Sequence, residues 1–349
     1  MKKMLTLIAF AAMTTAFAQK VDLDPENFVY SYRDYPTDPL PADYVTYSVV
    51  YEASGSTKNE ISEASVVDNM VLEGFKRLDN GAHLQIQLQF NSLIFNSSLV
   101  KERYEIQKDK NGKETGRTFY YWVEVSYTIS GAAQLKDYKG NMVDKSSLGG
   151  TYLHKTGEYR SHKAAWDYFQ NNRDALRGNF VREQVRNSIS NLSRYWSDKY
   201  GFPVRTGRDE LWILDSKAHP EYDGHKKALK TIQEWMKTMS PDQPVAEIKE
   251  KLKPTIEYFE SLKTKYTKDE KRDRKMRYAS WFNLGKIYLC LDDMDAAIQQ
   301  AEGLIKNGHD PKDGKRMIEE AQRVKAIFNK NKANTRHFPI ELDKMQGPK

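Results

Sequence analysis

Phe119-Tyr-Tyr121-Trp-Val123-Glu-Val125-Ser-Tyr127-Thr-Ile129 is the longest stretch of this chain in which apolar residues recur at every second position. That period predicts a strand with one buried face. Moving outward toward the N-terminus, Leu84, Ile86, Leu88 and Phe90 alternate with three glutamines. Val45, Tyr47, Val49 and Tyr51 alternate with Thr46, Ser48 and Val50. Lys108-Asp-Lys-Asn-Gly-Lys-Glu114 separates the two later strands, and its Asn111-Gly112 is a hairpin turn signal. Asp137-Tyr-Lys-Gly-Asn141 predicts a further reversal. From Glu60 to Leu78 the apolar residues Ile61, Val66, Val67, Met70, Val71, Phe75 and Leu78 fall on one broad face at helical spacing, so a helix is expected between the first two strands.

The period changes after Arg160. Trp166, Phe169, Leu176, Phe180, Val185, Ile189, Leu192 and Trp196 recur at threes, fours and one five, which predicts a long amphipathic helix over 162–200 despite Gly178. Gly201 followed by Pro203 ends it. Leu211 to Leu214 reads as one more buried strand. A helix of that length most simply covers the sheet, giving an α+β domain over 44–216 whose antiparallel sheet carries covering helices. Before it, residues 19–43 interleave Pro25, Pro36, Pro39 and Pro41 with Phe28, Tyr30, Tyr32 and Tyr35. Proline removes donors and restricts its neighbour, so this lead-in is expected to be extended and neither a helix nor a central strand.

No alternating strand follows Tyr222. Helical segments are expected at 222–239, 244–266, 275–291, 294–307 and 312–330, an all-α domain over 217–332 with a tail at 333–349. One stretch is specific. Trp281-x-x-Leu284-Gly285-x-x-Tyr288, then Leu291-Asp-Asp-Met-Asp-Ala-Ala297-Ile298, resembles the tetratricopeptide repeat. Small Gly285 and Ala297 allow two antiparallel helices to approach, while Trp281, Leu284 and Tyr288 fill the space between them. Ala301 stands where the family has an aromatic, and the closing proline arrives late, at Pro311. The resemblance covers about 34 residues. It implies a TPR-like groove for a protein or peptide, with Phe282, Lys286 and Leu289 on the inner face of the first helix, beside Ala279.

Met1-Lys-Lys-Met4 is a short basic start, Leu5 to Met13 an uncharged apolar run, and Ala16-Phe-Ala18 matches a small-residue cleavage site. Residues 1–18 therefore read as a signal peptide, with the run too short to span a bilayer. Its removal takes away Lys2 and Lys3 and lowers the +7 formal charge by two. No cysteine stands near its end, so a lipid anchor there is unsupported. Export to the periplasm or an outer-membrane-associated position is expected ahead of the extracellular medium.

In 349 residues, the 39% hydrophobic and 12% aromatic content excludes a wholly disordered chain, and a single cysteine excludes an internal disulfide framework. Neither H-E-x-x-H, G-x-S-x-G nor a dinucleotide-binding glycine pattern occurs, so no catalytic residue, metal site or cofactor is assigned. His219-Pro-Glu221-Tyr-Asp223-Gly-His225 has metal-ligand residue types, but reads better as a polar linker with Asp223 capping the next helix. Cys290, set mid-helix among apolar residues, reads as a buried structural thiol. The mixed-sign basic stretch 263–277 reads as a solvated connection, and export argues against nucleic acid. Acidic envelope surfaces remain a compatible peripheral contact. The expected role is a non-enzymatic adaptor or assembly factor that binds an envelope protein or peptide. Two alternatives stand beside it: an envelope hydrolase with an unrecognised carboxylate pair, and a carbohydrate-binding module that uses Tyr120 and Trp122. For those two aromatics, burial under the long helix is the simpler expectation.

Overall fold

The computed structural model describes residues 20–349. The expected signal peptide at 1–18 lies outside them. The strands are β1 (Leu23–Arg33), β2 (Thr46–Ala53), β3 (Lys76–Arg77), β4 (Leu84–Phe90), β5 (Ile94–Lys108), β6 (Glu114–Asp137), β7 (Met142–Lys155) and β8 (Val204–Leu214). The helices are α1 (Gly55–Glu60), α2 (Glu63–Asn69), α3 (His162–Tyr200), α4 (Tyr222–Met236), α5 (Ala246–Lys265), α6 (Lys271–Cys290), α7 (Met294–Asn307) and α8 (Pro311–Asn331). The chain is α+β, as its periodicities predict, and divides into two compact units.

The first unit, Asp34–Pro203 with Ile340–Lys349, is a sheet under a helix. β6 is its spine. It pairs antiparallel with β4 and β5 in succession along one edge and with β7 along the other. The sheet is not wholly antiparallel, because β2 runs parallel to both β3 and β4. A parallel return needs a crossover, and the segment carrying α1 and α2 supplies it. The helix expected over 60–78 is accordingly shorter. Beyond the end of α1 at Glu60 only α2 is helical there, while Met70 follows α2 and Leu72 and Phe75 reach the core from a turn closed by the Phe75 N–H on the Leu72 carbonyl.

α3 starts at Ser161, whose Oγ accepts the Ala164 N–H at 3.1 Å, and ends at Gly201. Its apolar stripe, including Phe169, Val181, Val185, Ile189 and Trp196, is buried against Val123, Val125, Tyr127 and Ile129 of β6. Phe180 lies flat on Tyr127 with ring centroids 4.2 Å apart. Each such side chain contributes about 1.5–3 kcal/mol through burial, so this seam dominates the unit's stability.

The second unit joins residues 20–33 to Val204–Pro339. The lead-in, expected to be extended, and the strand expected at Leu211–Leu214 pair with each other. β1 and β8 form a separate antiparallel ribbon, with Leu23 opposite Leu214 and Arg33 opposite Val204. Pro25 is accommodated because each strand of a two-stranded ribbon has one unpaired edge. Leu211, Ile213 and Leu214 of β8 are buried with Leu229 and Ile232 of α4, Phe259 of α5, and Leu284 and Ile287 of α6. Gly207 permits the Tyr30 ring to lie across the ribbon, since a Cβ there would come 2.5 Å from it. α7 and α8 complete the helical array.

Candidate functional site

The inner face of α6 carries Phe282, Lys286 and Leu289 in register, as the heptad-like spacing requires. None of the three lines an open groove. β8 lies over this face. Asn283 fastens it there: its Nδ2 donates to the Trp212 carbonyl at 2.9 Å, and its Oδ1 accepts the Trp212 N–H at 2.8 Å. Phe282 is buried with the Trp212 ring 6.4 Å away and the Tyr278 ring 6.0 Å away. Lys286 is paired with Asp209 of β8 at 3.1 Å and Glu320 of α8 at 3.6 Å. Burial works against its charge, yet the two carboxylates outweigh that and hold its pKa above the ordinary lysine value. Leu289 is buried, and its carbonyl accepts from Arg336 at 2.6 Å. The chain's own strand and C-terminal segment thus occupy the surface on which the sequence places a partner. The polar pattern of β8, with Asp209 inward-reaching and Trp212 half-buried, was the available signal, but it makes sense only once α6 is seen beneath it.

The opposite side of the same helix is open. Arg277 and Trp281 of α6, with Gln299, Glu302, Gly303 and Lys306 of α7, line a groove of about 490 Å³. Trp281 sits against Gly303, where a Cβ would come 2.4 Å from the indole, and Lys263 of α5 lies 3.7 Å from the ring centroid on its face. The groove therefore offers an indole edge between mixed charges.

The linker His219–His225 does not converge on a shared point. Glu221 is buried and accepts from Lys265 and from the hydroxyls of Tyr258 and Tyr266, both at 3.2 Å. Burial opposes its charge, and these donors outweigh it, so its carboxyl is held below the usual range. His225 Nδ1 accepts the Leu214 N–H at 3.3 Å. Asp223 falls within the first turn of α4 rather than capping it. No group of three or more His, Cys, Asp or Glu side chains is placed to hold a metal among the described residues. Cys290 is fully buried, and burial pushes its thiol pKa up, which keeps it protonated.

Tyr120 and Trp122 do not go under α3. They lie on the opposite face of β6, half-exposed, but their ring faces are taken. Arg103 and Arg160 each lie 4.3 Å from the Tyr120 centroid, and Lys155 lies 4.0 Å from that of Trp122. A sugar ring stacks on a bare aromatic face, whereas two cations lie against Tyr120 and one lies on Trp122.

No protein-family model matches this chain, and no curated protein matches it. Among solved structures it is similar to a minor lipoprotein from Acinetobacter baumannii, with 14% identity over 46% of this chain and 96% of that one, at a TM-score of 0.22. It is also similar to the uncharacterized lipoprotein B from Nitrosomonas europaea, with 11% identity over 48% of this chain and 93% of that one, at a TM-score of 0.23. Likenesses at these scores do not define a shared fold. Among the described residues, no helix is long and apolar enough to cross a membrane.

Proposed function

We propose that this chain is an exported cell-envelope protein that acts as a non-enzymatic adaptor or assembly factor, binding an envelope protein or peptide through its TPR-like helices. Export rests on the basic, apolar and small-residue succession of residues 1–18. The observation that carries the adaptor reading is the open groove at Trp281. It is lined by two antiparallel helices at the motif positions, and it remains free while the inner face at Phe282, Lys286 and Leu289 is closed by β8. An indole edge flanked by Arg277, Glu302 and Lys306 suits a peptide with one apolar anchor and charges of both signs.

A photo-crosslinking residue at Gln299 or Lys306, in cells expressing a tagged copy, tests this. The expected result is a reproducible crosslink to one envelope protein that Trp281→Ala abolishes. Recovery of the chain without an adduct from either position, or an adduct indifferent to Trp281→Ala, would count against the groove and the adaptor reading with it.

A further inference from the structure

β6 keeps β7 only as far as the Glu124–Lys155 pair, with one isolated bridge from Tyr121 to Tyr159. α3 begins at His162, level with Tyr121. Beyond that point β5 and β6 continue as a two-stranded arm that closes at Asn111-Gly112. The face of β6 that is buried under α3 at Val123 and Val125 runs on along this arm beyond the helix, with the Arg117 guanidinium 4.8 Å from the Tyr104 ring centroid. Phe119 is 39% exposed, Tyr104 opposite it 49%, and Ile106 46%. An apolar row that leaves its covering helix behind, interrupted here by Glu102 and Arg117, marks a surface for another protein.

The outer edge of β5 says which. Among the described residues β5 pairs with β6 alone, so its other edge presents unpaired backbone donors and acceptors. Edge strands are ordinarily protected by prolines, bulges, charged side chains or a covering element, and charges deter pairing only where the partner sets like against like. From Ser97 to Gln107 β5 has no proline, and its register against β6 is unbroken, with irregularities only at the two ends. Its charges alternate in sign: Lys101, Glu102, Arg103, Glu105, Lys108. Two of them are fixed in place, because Arg103 bonds Glu105 at 2.6 Å and Glu158 at 2.7 Å while lying on the Tyr120 ring.

We propose that the free edge of β5 pairs antiparallel with the same edge of a second copy of this chain, in the register that sets Tyr104 opposite Tyr104. In that register Arg103 faces the second copy's Glu105 and Glu105 faces its Arg103, so a two-fold axis satisfies both pairs and the interface closes on itself. Lys101 meets Gln107, and Glu102 meets Ile106. No like charges oppose. A slip of one position in either direction sets Glu102 against Glu105 or Lys101 against Lys108. The next slips set Arg103 against Arg103 or Glu105 against Glu105. The charge pattern therefore selects one register among its neighbours, since like charges directly opposite are destabilising. The apolar consequence follows from the same geometry. Phe119, Tyr104 and their symmetry mates form one row across four strands, so each stripe covers the other's flank.

The test uses the purified chain, light scattering and disulfide mapping. Directly opposed antiparallel residues have Cα atoms about 4.5–5.5 Å apart, within the span of a disulfide. Tyr104→Cys is expected to give an oxidised covalent dimer. Glu102→Cys and Ile106→Cys are each expected to stay unlinked alone and to link when mixed. Cys290, fully buried, does not interfere. Glu105→Lys should raise the dimer dissociation constant about tenfold, because both symmetric pairs become like-charged. Arg103→Glu should do the same, whereas a mixture of these two variants restores opposite charges at both pairs and should dimerise. A wild-type mass of one chain at every concentration, a dimer whose Tyr104→Cys form does not link, or a mixture no better associated than its components would overturn the proposal.

Discussion

The side-chain amide of Asn283 reads the backbone of Trp212 as a neighbouring strand would, accepting its N–H at 2.8 Å and donating to its carbonyl at 2.9 Å. Asn283 is itself fully buried, so β8 is bonded to the helix beneath it through groups that water does not reach. A single amide thus stands in for a missing third strand along β8.

Asn283→Ala should consequently cost more than two ordinary hydrogen bonds on the surface, because the Trp212 N–H is left without a partner under cover. About 2–3 kcal/mol is expected. Asn283→Asp should cost at least as much, since it loses the donor and buries a charge. Urea titration gives the magnitude. Hydrogen exchange at the Trp212 amide gives the location, and exchange unchanged from wild type would show that β8 is held by its apolar contacts alone.

Asp292 and Arg336 make the other buried tie. Asp292 Oδ1 takes the Arg336 Nε–H and Oδ2 its backbone N–H, both at 2.6 Å, with side-chain exposures of 2% and 12%. The residue sits in the α6–α7 turn at φ 60, a conformation that Asp and Asn tolerate better than other side chains. Asp292→Ala should destabilise by about 3–5 kcal/mol, since it leaves a buried guanidinium uncompensated and also strains the turn. Asp292→Asn keeps the turn and one acceptor, so its loss should be visibly smaller. Thermal unfolding of the two variants side by side decides it. Equal losses would mean that the charge, not the turn geometry, sets the whole effect.

Two helical glycines of the second unit separate a tolerant contact from a rigid one. A Cβ on Gly285 would meet the Met317 Sδ at 2.1 Å, and a Cβ on Gly303 would meet the Trp281 ring at 2.4 Å. Alanine gains about 1 kcal/mol of helix propensity at either position. The thioether end of Met317 can rotate away, so Gly285→Ala should be close to neutral. The indole is held by Lys263 and lacks that freedom, so Gly303→Ala should destabilise by about 1–3 kcal/mol and shift tryptophan emission. A stabilised Gly303→Ala would show that the indole has room to move.

The helices of the second unit were legible because their apolar residues recur at helical spacing, with breaks at Pro241, Pro244 and Pro311, as Gly201 and Pro203 end α3 in the first unit. The same holds for β4 and β6, whose inward residues alternate strictly. β5 was missed for a physical reason. From Lys101 to Lys108 it is exposed on both faces, so no burial pattern is imposed on Lys-Glu-Arg-Tyr-Glu-Ile-Gln-Lys. The ribbon of β1 and β8 was also out of reach, since the partners are separated by about 180 positions and Pro25 argues locally against a strand. For the site, the repeat resemblance placed Phe282, Lys286 and Leu289 on one face. Spacing carries no information about what the rest of the chain lays over that face, and here Asp209 and Trp212 of β8 do so.

His225 makes the second unit sensitive to acid. It is fully buried, its Nδ1 accepts the Leu214 N–H, and its Nε2 has no hydrogen-bond partner among the described residues. Burial lowers its pKa to about 4, against the partial opposition of the Glu221 carboxylate. An unfolded histidine titrates near 6.5. Between those values the unfolded chain binds a proton that the folded chain refuses, so stability falls as pH drops from about 6.5 through about 4, by about 3 kcal/mol in all. Above pH 6.5 both states are neutral and the residue contributes no slope. His225→Asn retains an acceptor for the Leu214 N–H and removes the titration. The difference between wild-type and variant unfolding free energies should therefore be flat above pH 7 and decline below 6, with the Leu214 amide losing exchange protection only in wild type. Parallel profiles down to pH 4 would assign the acid sensitivity to other groups.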